Sequence, residues 1–170
     1  MKKVLAALLS LTFLFSLSSC SVLGSFFGKD YEAEDEVFQF GKLSITLTEA
    51  FYVDEEGSDT VWYESTSETS VSIDRYDLSP EDMLYGLSVM DCAEFFRDSL
   101  EYNTVSEVKT DEDLVYVDCE VLMLGFEFFY RLVFFKTTNA LYIVWFMCDL
   151  DKQETYDAYF TKWAKSIRFS

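Results

Sequence analysis

Residues 114–150 read LVYVDCEVLMLGFEFFYRLVFFKTTNALYIVWFMCDL: three apolar runs, Leu114 to Leu124, Phe126 to Lys136 and Leu141 to Cys148, parted at Gly125 and at Thr138-Asn139. Runs rich in aromatic and β-branched residues, bounded by turn residues, predict a three-stranded antiparallel meander. In the last run both parities are apolar, with Leu141, Ile143, Trp145 and Met147 on one side and Tyr142, Val144, Phe146 and Cys148 on the other. A strand wetted on one side alternates, so this part of the sheet is expected to be covered on both faces.

Upstream, Leu43, Ile45 and Leu47 alternate with Ser44, Thr46 and Thr48, the pattern of a half-buried strand. Val61 to Tyr63 and Val71 to Tyr76 read as further short strands. Ser79-Pro80-Glu81-Asp82 carries the signals of a helix start: a serine cap, proline at the first position and acids at the positive end of the helix dipole. A helix is predicted from there to about Tyr102, its stripe made by Met83, Leu84, Leu87, Cys92, Phe95, Phe96 and Leu100. A second helix, from about Asp151 to Lys165, places Tyr156, Tyr159, Phe160, Trp163 and Ile167 at spacings of three and four. Two helices and a sheet wanting two covers predict an α+β fold, a mainly antiparallel β-sheet with a helix packed on each face; the alternative is a partner protein over one side.

This order of elements, with Phe40-Gly41-Lys42-Leu43-Ser44-Ile45 near the front and Trp163-Ala164-Lys165-Ser166-Ile167-Arg168-Phe169 at the end, resembles the PsbP/DcrB-like superfamily. The resemblance spans Val37 to Phe169. Members often carry a proline shortly after the second strand, where this chain has Thr48-Glu49-Ala50-Phe51. What the resemblance implies is an α-β-α sandwich (PsbP-like) and an accessory, binding or assembly role rather than an enzymatic one.

The 170 residues include 31 Asp plus Glu, 13 Lys plus Arg and no His, for a formal charge of −18, and half of them are apolar. High charge without low hydrophobicity is not the composition of a disordered chain. The acid excess argues against nucleic acid as a partner, since phosphate neutralisation needs a basic face.

At the front, Lys2 and Lys3 precede the apolar stretch Val4 to Ser16, which is long enough for a secretory signal and too short to span a bilayer. Leu17-Ser18-Ser19-Cys20 follows and resembles the lipobox of bacterial lipoproteins. That resemblance implies a signal peptide over residues 1–19, cleavage before Cys20, a lipid on its thiol, and residence at the cell membrane on the extracytoplasmic side. Two or more acyl chains, at about 0.8 kcal/mol per buried CH₂, hold a protein durably on a bilayer. Residues 20–36 then read as a lipidated tether ending in the acidic run Lys29 to Glu36, and 37–170 as a single domain. The carboxylates of that run would be repelled by anionic headgroups.

Catalytic signals are weak. Without His the commonest general base and metal ligand are missing, which removes Ser-His-Asp and Cys-His catalysis within one chain. Ser106-Glu107-Val108-Lys109 satisfies S-x-x-K but lies in a strand-like segment without a K-T-G partner. The loop Asp54-Glu55-Glu56-Gly57-Ser58-Asp59 fails the spacing of a calcium loop and reads as a solvated hairpin. Catalytic, metal and cofactor sites are therefore read as none. A carboxylate-dependent hydrolase and a purely structural surface protein are the alternatives to a binding role, because Asp and Glu are plentiful and their separation is not written in sequence.

Three cysteines fall in the domain. Pairing centred on Gly125 puts Cys119 opposite about Arg131, two strand spacings (roughly 9.6 Å) from Cys148 and beyond disulfide reach; Cys92 is left either to meet one of them across a helix–sheet contact or to stay a buried thiol. Trp62-Tyr63, between polar loops, is the candidate recognition patch, set against ordinary core packing. The expected partners are the membrane, through Cys20, and an envelope protein or small ligand.

Overall fold

A computed structural model describes residues 34–48, 50–66 and 69–170; the expected signal peptide, Cys20 and most of the expected tether lie outside the described residues. The strands are β1 (Asp35–Phe40), β2 (Leu43–Thr48), β3 (Phe51–Glu56), β4 (Thr60–Ser65), β5 (Thr69–Asp77), β6 (Thr104–Val105), β7 (Lys109–Asp111), β8 (Leu114–Met123), β9 (Phe126–Lys136), β10 (Ala140–Asp149) and β11 (Arg168–Phe169). Helix α1 (Val89–Arg97) separates β5 from β6, and a single 3-10 turn (Leu150–Lys152) leads into α2 (Gln153–Lys165). The larger sheet runs β3-β4-β5-β10-β9-β8-β6, with β7 also paired to β8; the smaller runs β1-β2-β11. Every pairing described is antiparallel. β1 takes in Asp35 and Glu36 from the acidic run, pairing them with Thr48 and Leu47.

The meander is present, and in β10 every residue from Ala140 to Phe146 is buried. Its alternate residues enter two different clusters. Val144, Phe146 and Cys148 pack with Phe160, Trp163 and Ala164 of α2 and with Leu43, Ile45 and Leu47 of the small sheet. Leu141, Ile143 and Trp145 pack with Cys92, Ala93 and Phe96 of α1.

The register differs from expectation by one residue. Met123 pairs with Phe126, so the turn is the two residues Leu124-Gly125, both at positive φ (54° and 88°), and its centre lies between them rather than on Gly125. Cys119 therefore faces Tyr130, and Asp118 faces Arg131. One step of slip moves a side chain to the other side of a sheet. Cys119 thus sits in the α1 cluster and Cys148 in the α2 cluster. All three domain cysteines are free and buried.

Helix α1 begins nine residues later than its sequence signals predict. Ser79 and Asp82 do make a cap-like turn, the serine N–H and hydroxyl donating to Asp82 Oδ2 at 2.6 and 2.8 Å, but it does not propagate. The Lys136 ammonium donates to the carbonyls of Leu84 and Tyr85, at 2.8 Å each, and of Leu87. Those are oxygens that a continuing helix would need as acceptors. The helix proper starts at Ser88, whose hydroxyl accepts from Asp91 N–H at 3.1 Å while Asp91 accepts from Ser88 N–H at 2.9 Å, a complete capping box. The Ser88 hydroxyl, donating to Asp91 Oδ2 at 2.6 Å, and then the Ser88 N–H hold the Asp91 carboxyl below its ordinary range.

Candidate functional site

The strand register places three rows of side chains on the α1 side of the large sheet. Thr60, Asp74, Ile143 and Phe134 form one, Trp62, Ser72, Trp145 and Leu132 the next, and Glu64, Ser70, Met147 and Tyr130 the third. The β5 contribution is polar because β5 reads TSVSIDRYD: its even positions Ser70, Ser72 and Asp74 share this face, while Val71 and Ile73 enter the α2 cluster.

Asp74 accepts from Thr60 Oγ1 at 2.9 Å and from Trp145 Nε1 at 2.8 Å. Burial pushes its carboxyl up, and the two bonds only partly oppose that by favouring the charged form. Trp145 packs edge-on against Tyr130, which stacks on Tyr102. Burial takes the Tyr102 phenol up to about 12 and raises Tyr130 as well. Within this face Trp62 Nε1, Ser70 Oγ and Tyr130 OH are buried without a hydrogen-bond partner. Buried polar atoms are nearly always satisfied, so three on one face mark spare bonding capacity.

The structure divides the expected recognition pair. Trp62 is half-buried on this face. Tyr63 points the other way, is 1% exposed, and packs edge-on against Phe38 in the core. Adjacent residues of a strand face opposite sides, so the two side chains do not form one surface. Asp74 and Ser70 were not singled out in the sequence and Trp145 only as a strand residue, although the small and polar parity of β5 is visible there.

On the α2 side, one charged cluster is structural. Arg131 donates to Asp118 (Nε–Oδ1 2.8 Å, Nη2–Oδ2 3.2 Å), to Asp157 Oδ1 at 2.8 Å and to Thr161 Oγ1 at 3.1 Å, and its guanidinium lies 4.7 Å from the Tyr116 ring centre. It fastens β8 and β9 to α2. Ser106 and Lys109 of the S-x-x-K motif likewise brace β8: the serine hydroxyl accepts from Asp118 N–H at 3.0 Å and the ammonium donates to the Asp118 carboxylate at 2.9 Å. The acidic loop near Gly57 is the β3–β4 hairpin, closed by Gly57 N–H to Thr60 C=O at 2.7 Å. Among the described residues no group of three or more His, Cys, Asp or Glu is placed to hold a metal ion.

No protein-family model matches the chain, and no curated protein does. Solved structures do. The solution structure of cyanobacterial PsbP (CyanoP) from Synechocystis covers 88% of this chain and 100% of its own, at TM-score 0.54 and 12% identity. A Bacteroides thetaiotaomicron crystal structure matches at TM-score 0.53 and 10% identity, over 76% of this chain and 45% of that one. LpqN of Mycobacterium tuberculosis, a protein involved in cell envelope biogenesis, matches at TM-score 0.50 and 8% identity over 83% of this chain and 93% of its own. At these identities the likeness shows the fold: a mostly antiparallel α+β arrangement with two helices, similar to PsbP.

Proposed function

We propose that this chain is an extracytoplasmic lipoprotein, cleaved after residue 19 and lipid-anchored through Cys20, whose α+β domain binds an envelope protein or small ligand without catalysing a reaction. The observation that carries the reading is the sequence Leu17-Ser18-Ser19-Cys20 placed directly behind Lys2-Lys3 and an apolar stretch of signal length. In the domain, a helix on each face of the sheet is the arrangement we favour, supported by the two clusters that alternate residues of β10 enter. A non-enzymatic role is supported by the engagement of its interior charges: Asp74 is bonded to Thr60 and Trp145, and Asp118 to Arg131 and Lys109. The fold similarity to LpqN fits an envelope setting. Trp62, with Ser70 beside it on the same face, is the recognition residue we favour.

Replacing Cys20 by Ala tests the anchor. The variant is expected to accumulate as unprocessed precursor and to incorporate no radiolabelled palmitate, whereas labelling equal to that of the parent chain defeats the assignment.

A further inference from the structure

The β8–β9 hairpin ends in Leu122-Met123-Leu124-Gly125-Phe126, and its apolar side chains stand in solvent: Leu124 is 72% exposed, Phe126 67% and Leu122 54%. Soluble surfaces rarely gather large apolar side chains this way without a use. The backbone sharpens the point. Leu124 and Gly125 occupy a two-residue turn with both φ positive, the turn type that Asn-Gly fills most easily. A leucine in the left-handed region is disfavoured by its Cβ, so this position combines an unfavourable backbone with an unfavourable exposure.

Beside the tip lies an open cleft of about 630 Å³ lined by Leu122, Gly125, Phe126, Glu127, Asp149, Leu150 and Asp151. Leu122, Phe126 and Leu150 share its lining with three carboxylates, and the lining holds no Lys or Arg. We infer that this cleft and hairpin tip dock a polypeptide segment of another protein in which apolar side chains alternate with Lys or Arg. The apolar residues of such a segment would cover Leu122, Leu124 and Phe126, while its cations would meet Glu127, Asp149 and Asp151. An anionic bilayer fits poorly, because the same carboxylates oppose its headgroups. Apolar anchors rimmed by complementary charge are the usual anatomy of a specific contact. Such docking requires no lipid on Cys20.

The test uses the purified full chain in mild detergent and a fluorescent Leu/Lys peptide of alternating sequence, with Leu/Glu and Ser/Lys peptides as comparisons, read by anisotropy at low and high salt. The Leu/Lys peptide is expected to bind at least tenfold more tightly than either comparison, and less tightly as salt rises. Leu124→Asn, which suits the turn and keeps the charge, is expected to weaken binding at least tenfold, as is Phe126→Thr. The pair Asp149→Asn/Asp151→Asn is expected to flatten the salt dependence, and Glu55→Gln/Glu56→Gln on β3, the same change in net charge, to leave it intact. Equal binding by Leu124→Asn overturns the inference, as does equal binding of the Leu/Glu peptide. Binding to phosphatidylcholine vesicles that is lost in Leu124→Asn overturns it in favour of lipid, and self-association lost in that variant overturns it in favour of a second copy.

Discussion

Asp118 and Arg131 stand directly opposite each other on β8 and β9, joined by two hydrogen bonds, with the Arg131 side chain only 8% exposed. The two ends of the pair are not equally replaceable. Without Asp118 the buried guanidinium keeps one carboxylate, the half-exposed Asp157, and the Thr161 hydroxyl, whereas without Arg131 the less buried Asp118 carboxylate keeps Lys109. Asp118→Ala is therefore expected to cost about 3 kcal/mol, the scale for stranding a buried charge, and Arg131→Met less. Urea melts of both single variants and the double variant measure the coupling; additivity within about 0.5 kcal/mol removes the pair as a unit.

Asp74 makes stability depend on pH in an unusual direction for a carboxylate. Its folded pKa lies above the ordinary 3.8, so the folded state binds the proton more tightly than the unfolded state does. Its contribution therefore grows as pH falls through the folded value and levels off below 3.8, and it is lost as pH rises. Asp74→Asn, which can still accept from Trp145, is expected to be more stable than the parent near pH 7.5, with the gap closing toward pH 4. Denaturant midpoints at the two pH values check this, and a gap that widens on acidification contradicts it.

The domain thiols should be silent until the fold opens. Burial raises Cys92, and takes Cys119 and Cys148 up to about 12, with Asp118 adding to the first of these and Asp149 to the second. At pH 8 a thiol reagent is expected to modify none of the three in the native chain and all three in guanidinium. A processed chain carrying lipid on Cys20 gives three thiols on unfolding; four would mean that Cys20 is bare.

Lys136 is the clamp on the segment between β5 and α1, through the carbonyls of Leu84, Tyr85 and Leu87. Lys136→Met removes those bonds while keeping the stem. Hydrogen bonds to a charged group are worth about 1.5–3 kcal/mol, so a loss near the lower figure is expected, with faster amide exchange concentrated in residues 82–88. Uniform exchange across the domain would point to a different role.

The meander, the alternating β2 and α2 were readable because each is a local periodicity, and the two apolar parities of β10 are both buried from Ala140 to Phe146. What escaped reading depends on distant partners. The late start of α1 is set by Lys136, which lies about fifty positions further on and competes for carbonyls that no window around Ser79 includes. The Cys119 register turned on whether a loop centres on Gly125 or half a residue before it. The pairing of β5 with β10, which brings Asp74 under Trp145, joins strands separated by a helix and four other strands. Trp62 and Tyr63 were read together as one patch, yet Tyr63 lies in the core and Trp62 is half-buried on the opposite face, because neighbours in a strand look alike in composition and differ only in direction.

The small sheet holds both ends of the domain together. β11 pairs Phe169 with Leu43 and Arg168 with Ser44, Ser170 N–H reaches Lys42 C=O at 2.9 Å, and Thr46 N–H donates to the Ser166 hydroxyl at 2.9 Å. A polypeptide made amino end first thus carries Thr46 120 positions ahead of the Ser166 hydroxyl that it meets. Until β11 follows, the small sheet is a two-stranded ribbon with the β2 edge open, so its third strand is a late, long-range addition.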